Sequence, residues 1–245
     1  MTFRELKERF FTLRKCIGCG SILEYGATDG VFCDSCALAW SVAKTESCKE
    51  CLQSAVECTC QPKELSKTGS LCLRKLIFYH KRHGTPPQLR AVYRLKRRPQ
   101  RYAEEFFANE LLRVMREELD ALKISDVANE VVITSIPRSV GANRKYGIDQ
   151  SERISKALSD KVGVPYIKAF RRASLFSKEQ KRLTQQGRFK SVRGQFVMND
   201  GELVEGKCIF LFDDVVTTGA SMTACAEILR KAGAKAIVCL CVAQN

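Results

Sequence analysis

The chain contains no uninterrupted apolar stretch of about 18 residues or more, so it offers no membrane span. Its opening residues, Met1-Thr-Phe-Arg-Glu-Leu-Lys-Glu-Arg-Phe-Phe, carry charges throughout and lack the basic end and apolar block of a secretory signal. Both absences predict a cytoplasmic protein. Histidine is nearly missing: His80 and His83 are the only two, both in a basic loop where exposure is expected, and no residue stands out as a general base. Acid is missing over a long reach, with no Asp or Glu between Leu65 and Ala103. There is no low-complexity segment, and no internal repeat beyond a set of paired cysteines.

What remains is a basic chain of 245 residues, net charge +14, long enough for one α/β domain and something small beside it. The acid-free stretch holds Lys67, Arg74, Lys75, Lys81, Arg82, Arg90, Arg94, Lys96, Arg97, Arg98 and Arg101, and between Lys168 and Arg193 only Glu179 opposes a second basic set. Such a surface favours polyanions: nucleic acid, a polyphosphate, or anionic headgroups. Phe78, Tyr79 and Tyr93 interleave with the first run, where they can stack on bases or face the core of a strand.

Thirteen cysteines in a chain expected in the cytosol call for metal before disulfides. Cys16-x-x-Cys19 and Cys33-x-x-Cys36 flank a Gly-rich, hairpin-like segment. Each tight turn aims two thiolates at one point and the hairpin brings the turns together, which is what a tetrahedral structural Zn²⁺ needs. Cys48-x-x-Cys51 with Cys58-x-Cys60 repeats the scheme on a shorter spacer. It predicts a second Zn²⁺, against the alternatives of one site drawing on both modules or a partly lost second site. Four thiol ligands leave no open coordination position, so the metal should hold structure. Cys72, Cys208, Cys225, Cys239 and Cys241 lie in apolar runs or on a helix and read as small core residues.

In order, residues 2–14 read as a basic amphipathic helix, residues 61–69 as a linker rich in Pro, Gly, Ser and Lys, and residues 71–79 as a strand. Residues 89–95 read as a second strand or a short helix, and 101–122 as the clearest helix. A buried strand over 131–136, a helix over 150–158 and a strand over 164–170 follow, and 236–242 supplies a last strand. Strands alternating with helices imply an α/β fold with a largely parallel sheet. The expected organisation is a zinc module with its N-terminal helix over 1–62, a linker over 63–70 and the α/β domain over 71–245.

The chain turns on Ile209-Phe-Leu-Phe-Asp213-Asp214-Val215-Val-Thr217-Thr218-Gly219-Ala220-Ser221. An apolar strand stops at two acids, crosses a Thr-Thr-Gly turn and enters a helix through Lys231. Backbone N–H groups of the turn and the positive helix end can hold a phosphate, with the Thr217, Thr218 and Ser221 hydroxyls as further donors. The carboxylates can accept from a diol such as the 2′- and 3′-hydroxyls of a ribose. No Lys follows the glycine, so this is not a Walker A loop. The stretch closely resembles the phosphoribosyl-pyrophosphate (PRPP) motif of type I phosphoribosyltransferases. The resemblance implies that Asp213 and Asp214 hold the ribose and that Val215, Thr217, Thr218, Gly219, Ala220 and Ser221 form the 5′-phosphate loop.

Other stretches resemble the ComF competence family (GntX-like), whose members carry a Cys-rich zinc module, here a double zinc ribbon, before the transferase-like domain. Tyr93-Arg-Leu-Lys96 with Arg101-Tyr-Ala is similar to its Leu-Lys-Tyr stretch. Arg144-Lys-Tyr-Gly147-Ile-Asp149-Gln150-Ser-Glu152 matches its Arg-x-x-Gly-Phe-Asn-Gln-x-Glu, with Asp149 for Asn. Ser177-x-x-Gln180-x-x-Leu183, Arg188, Val192, Gly194 and Phe196 follow a further pattern, with Ser191 for Asn. The resemblance implies a pyrophosphate loop at Ile136-Pro137-Arg138-Ser139, with Arg138, Ser139 and Arg144 as pyrophosphate-binding candidates and Mg²⁺ accompanying PRPP. It also implies a cytosolic role in natural transformation (DNA uptake), handling single-stranded DNA beside helicase and recombination-mediator partners. An active phosphoribosyltransferase with an unidentified acceptor and a non-enzymatic zinc-stapled adaptor are the alternatives. The first cysteine, Cys16, belongs to a zinc pair, so the N-terminal glutamine-hydrolysing Cys of true amidophosphoribosyltransferases is absent. No catalytic residue is identified.

Overall fold

A computed structural model describes residues 14–23, 30–79, 86–95, 100–139, 147–173, 194–199 and 201–245. The amphipathic helix expected over residues 2–14 lies almost wholly outside them, as do His80, His83, Arg144 and most of the second basic run.

Four strands form one parallel sheet: β1 (Cys72–Phe78), β2 (Val131–Ser135), β5 (Cys208–Val216) and β6 (Ala236–Gln244), in the order β1-β6-β5-β2. The inner strands are near-continuous apolar runs, as a sheet covered on both faces requires. Side chains alternate between two cores. Phe210, Phe212, Val238, Leu240 and Val242 face one side, where α4 (Arg101–Ala121) and α6 (Gln150–Val162) contribute Phe107, Leu111, Met115, Ile154 and Leu158. Ile209, Leu211, Ile237, Cys239 and Cys241 face the other, against Met222, Cys225 and Leu229 of α7 (Ala220–Lys231). All five cysteines read as core residues are buried. The small elements are α1 (Asp34–Lys44), α2 (Lys63–Ser66), α3 (Pro87–Leu95), α5 (Val127–Glu130) and an antiparallel pair, β3 (Phe170–Arg172) with β4 (Phe196–Met198).

Of the two readings of residues 89–95, a second strand or a short helix, the helix α3 is the one that forms, with Leu89 and Val92 buried one turn apart, so Tyr93 sits on a helix. One expectation changes. The strand expected over 164–170 reduces to a single parallel bridge from Tyr166 to Ile133 beside β2, and regular pairing starts only at Phe170. Ile133 N–H donates to Pro165 O at 3.0 Å and Ile167 N–H returns to Ile133 O at 2.9 Å, which completes that one bridge. The helix expected over 150–158 runs on to Val162 and stops at Gly163 in the left-handed conformation.

The N-terminal Cys-rich region packs against this sheet. Trp40 of α1 lies against Phe32, Phe106 and Phe107, and its indole N–H donates to Glu110, which also pairs with Lys44 at 2.7 Å. Residues 63–70, expected as a linker, hold α2 with Leu65 fully buried beside α7.

Candidate functional site

Parallel pairing of β2 with β5 ends with Ser135 opposite Phe212, while β5, expected to stop at the acids, runs on through Asp213 and Asp214 to Val216 along β6. Ile136 N–H donates to Phe212 O at 3.0 Å, so residues 136–139 start directly beside Asp213 and Asp214. The two loops expected to bind a sugar phosphate and its pyrophosphate therefore share the carboxyl edge of one sheet, where open α/β sheets take their ligands.

Asp214 is buried, and Asp213 is half-buried; Asp213 Oδ1 accepts from the Asp214 N–H at 2.9 Å and from Ser151 Oγ at 3.4 Å. Tyr93 stands near Asp214 with Tyr79 against it, ring centroids 6.4 Å apart. Burial first, then the Tyr79 hydroxyl and the Asp214 charge, push Tyr93 up to about 12. Beyond the acids, residues 213 and 215–222 line an open pocket of about 200 Å³. Gly219 begins α7 with φ +76°, a conformation that favours glycine, and a Cβ there would sit 2.9 Å from Pro62 Cγ. The first N–H groups of α7 have no intrahelical acceptors. Pocket and helix end together can hold a phosphate-sized anion next to the Asp213 carboxylate, while Asp214 is buried and is not among the residues lining the pocket.

On the neighbouring loop, Arg138 N–H donates to Asp149 Oδ2 at 2.8 Å and its Nη1 to Ile148 O at 2.9 Å. Ser139 is exposed. Asp149 also caps α6, accepting from Glu152 N–H at 3.3 Å. Two further residues reach this edge that sequence reasoning did not single out. Ser151 holds Asp213, and Arg172 donates from Nε to Pro137 O at 2.9 Å while its guanidinium lies 4.6 Å above the Phe196 ring. Burial pulls the Arg172 pKa down, while the nearby Asp213 and Asp149 charges oppose it. The only signal for Arg172 was membership of a basic run, which says nothing of depth.

The cysteines assemble as two separate quartets, Cys16, Cys19, Cys33 and Cys36, and Cys48, Cys51, Cys58 and Cys60, with each set's sulfurs within 4.8 Å of one another. Tetrahedral Zn–S bonds of about 2.3 Å place sulfurs roughly 3.8 Å apart. Cys19 and Cys33 Sγ stand 3.6 Å apart, close to that spacing. Backbone N–H groups already point at the sulfurs, from Cys19 to Cys16 at 3.5 Å and from Glu50 to Cys48 at 3.4 Å. The Ser35 hydroxyl brings Cys33 down to about 6, while burial pushes Cys36 up to about 12. Burial opposes ionisation of Cys48 too, but the N–H groups of Cys51 and Glu50 bring it to about 7. Both quartets could hold zinc, and all-thiol sets give the metal a structural role. The grouping settles the question left by spacing alone: the modules do not share one site.

The architecture defines an open parallel α/β domain with a ligand edge at β2 and β5. A model of the phosphoribosyl transferase domain matches residues 106–245, and the chain belongs to that family. Similar solved structures include the glutamine PRPP amidotransferase from B. subtilis, at 21% identity and TM-score 0.32 over 48% of this chain and 23% of that one. The adenine phosphoribosyltransferase from Saccharomyces cerevisiae gives 15% identity and TM-score 0.36 over 63% and 73%, respectively. The L. donovani hypoxanthine-guanine phosphoribosyl transferase gives 10% and 0.36 over 58% and 71%. The chain thus spans less than a quarter of the length of the B. subtilis enzyme. No curated protein matches the chain. Among the described residues no helix is long and apolar enough to cross a membrane.

Proposed function

We propose that the chain binds PRPP with Mg²⁺ at the joined carboxyl ends of β2 and β5. Asp213 and Asp214 take the ribose hydroxyls, the loop from Val215 to Ser221 takes the 5′-phosphate, and Arg138 and Ser139, with Arg144, take the pyrophosphate. Mg²⁺ bound with PRPP would neutralise part of the pyrophosphate charge. The observation that supports the reading is the bond from Ile136 N–H to Phe212 O at 3.0 Å, which starts the 136–139 loop next to Asp213.

Breaking the C1–pyrophosphate bond leaves positive charge on the ribose, and the acid pair lies where that ring would be held. Positioning and electrostatics carry most of such a reaction. Phosphoribosyl transfer is accordingly the reaction class this edge supports. The ComF-like motif set, the paired Cys quartets and the net charge of +14 support a cytosolic role in handling single-stranded DNA during natural transformation.

Calorimetric titration of the zinc-loaded chain with PRPP and Mg²⁺ tests the reading. The wild type is expected to bind, and the double variant Asp213→Asn, Asp214→Asn to lose about 100-fold in affinity, as two charge-assisted bonds at about 1.5 kcal/mol each would give. Equal binding by both proteins would remove the diol-holding role.

A further inference from the structure

The segment from Cys60 to Ser70 joins two things otherwise treated as separate. At one end, Cys60 is a ligand of the second quartet. Lys75 of β1 is fully buried, and its Nζ donates to Cys60 O at 2.7 Å and to Cys58 Sγ at 3.3 Å. Leu73 N–H donates to Thr59 O at 3.3 Å and Arg74 Nη2 to Val56 O at 2.8 Å, so the module covers the outer edge of β1. At the other end, Arg230, in the last turn of α7, donates to Thr68 O, to Gly69 O and, at 2.9 Å, to Ala234 O. In between, Leu65 is fully buried in the core that α7 shares, and Gln61 and Ser70 bond each other side chain to side chain at 2.7 Å. Pro62 packs where Gly219 would carry a Cβ. The strap starts in the second quartet, is pinned at the C-terminal end of α7, and packs against Gly219, the residue that caps the start of α7.

We propose that the second Cys quartet, through Lys75 and Pro62, is the buttress that fixes the phosphate loop, so that metal in this quartet sets the order of residues 217–221. This deepens the PRPP reading and rests on it only for the consequence on affinity. The first quartet makes a contrasting contact. Arg94 of α3 donates to Cys16 O at 3.2 Å and Cys19 O at 2.8 Å, which docks that module on α3 and not on α7. Cys48, Cys51, Cys58 and Cys60 would each give zinc one thiolate bond, and the metal would so fix the Cys58–Cys60 turn to the other two ligands. The chain's own residues carry that constraint onward: Lys75 ties the ligand turn to the sheet, and Pro62, two residues past Cys60, transmits its position to Gly219. Partners that orient metal ligands from outside the coordination shell typically change metal affinity by about 10–100-fold when removed.

Hydrogen exchange of the amides of residues 217–221, measured on the full-length zinc-loaded chain without PRPP, reads the buttress directly. Zinc retention against a chelator and PRPP affinity are measured beside it. Pro62→Gly is expected to keep both zinc ions while exchange in the loop speeds up about tenfold, because only the loop's support is lost. Lys75→Met is expected to release the second zinc at about 10–100-fold lower chelator concentration, with the same acceleration. Arg94→Met serves as the control and is expected to leave loop exchange unchanged. Loop exchange in Pro62→Gly equal to wild type overturns the proposal, whether or not Lys75→Met folds. So does equal acceleration by Arg94→Met. Loop exchange that follows the second metal in a wild type that does not bind PRPP would sink the PRPP reading while the buttress stands. PRPP binding with exchange indifferent to Pro62 and Lys75 would do the reverse.

Discussion

Asp149 occupies the position where the pattern it resembles has Asn, and from the sequence alone an acid there would repel a pyrophosphate. The fold gives both of its oxygens other tasks: Oδ1 caps α6 through Glu152 N–H, and Oδ2 holds Arg138 N–H. An Asn side chain carries only one acceptor oxygen, so it can serve one of the two donors well. Asp149→Ala is expected to cost about 1 kcal/mol from the lost cap and to weaken PRPP binding by freeing the 136–139 loop. Asp149→Asn should retain most of the cap but release Arg138 N–H, so its melting temperature should stay near wild type while its PRPP affinity falls toward that of Asp149→Ala. Thermal melts and PRPP titrations of both variants decide; an alanine variant unchanged in both would show that the residue positions nothing. At this scale the acid pair and its Thr-Thr-Gly turn were legible because they are contiguous. Ser151 and Arg172 were not, because a crossover helix and a separate hairpin bring them to the edge from 62 residues before Asp213 and 35 residues after Pro137.

Strand β1 shows how an element can be read correctly and its role missed. Residues 71–79 look like a strand, but Arg74 and Lys75 counted toward a basic surface, whereas both are buried. Arg74 pairs with Glu117 and Glu118 of α4 and reaches Val56 O, fastening helix, edge strand and second Cys module at one point. Arg74→Ala leaves Glu118, itself only 14% exposed at its side chain, without its partner. Breaking a buried pair from one side typically costs about 3–5 kcal/mol. Urea denaturation should therefore show a loss of that order, and Arg74→Lys should not restore it, because one ammonium cannot serve two carboxylates and a carbonyl in the same fork. A loss below about 1 kcal/mol would mean that the pair is effectively solvated. Elsewhere the apolar runs of β2, β5 and β6 were legible since burial on both faces leaves no polar alternation to confuse. The run before Phe170 misled because its composition was strand-like while it meets β2 only at the single bridge from Tyr166 to Ile133.

The molecule's net charge of +14 is the feature that composition states most loudly and the fold redistributes most. Arg74 and Lys75 lie inside, and Arg94 and Arg230 are engaged with backbone carbonyls, so none of the four is placed to meet a phosphate chain. Arg90 and Arg171 are exposed. If the basic surface holds single-stranded DNA, log affinity should fall linearly with log salt, by about 0.7 for each phosphate neutralised. Arg90→Ala together with Arg171→Ala is then expected to reduce that slope by up to about 1.4, whatever the base sequence. Alanine at Arg94 should leave the slope where it was, because its guanidinium is spent on the Cys16 and Cys19 carbonyls. Fluorescence anisotropy with a labelled oligonucleotide across a salt series measures both. An affinity indifferent to salt would exclude the basic surface as a nucleic-acid site, while leaving the PRPP site proposed between β2 and β5 untouched, since that proposal draws on fixed backbone donors, two acids and individual arginines instead of a diffuse field.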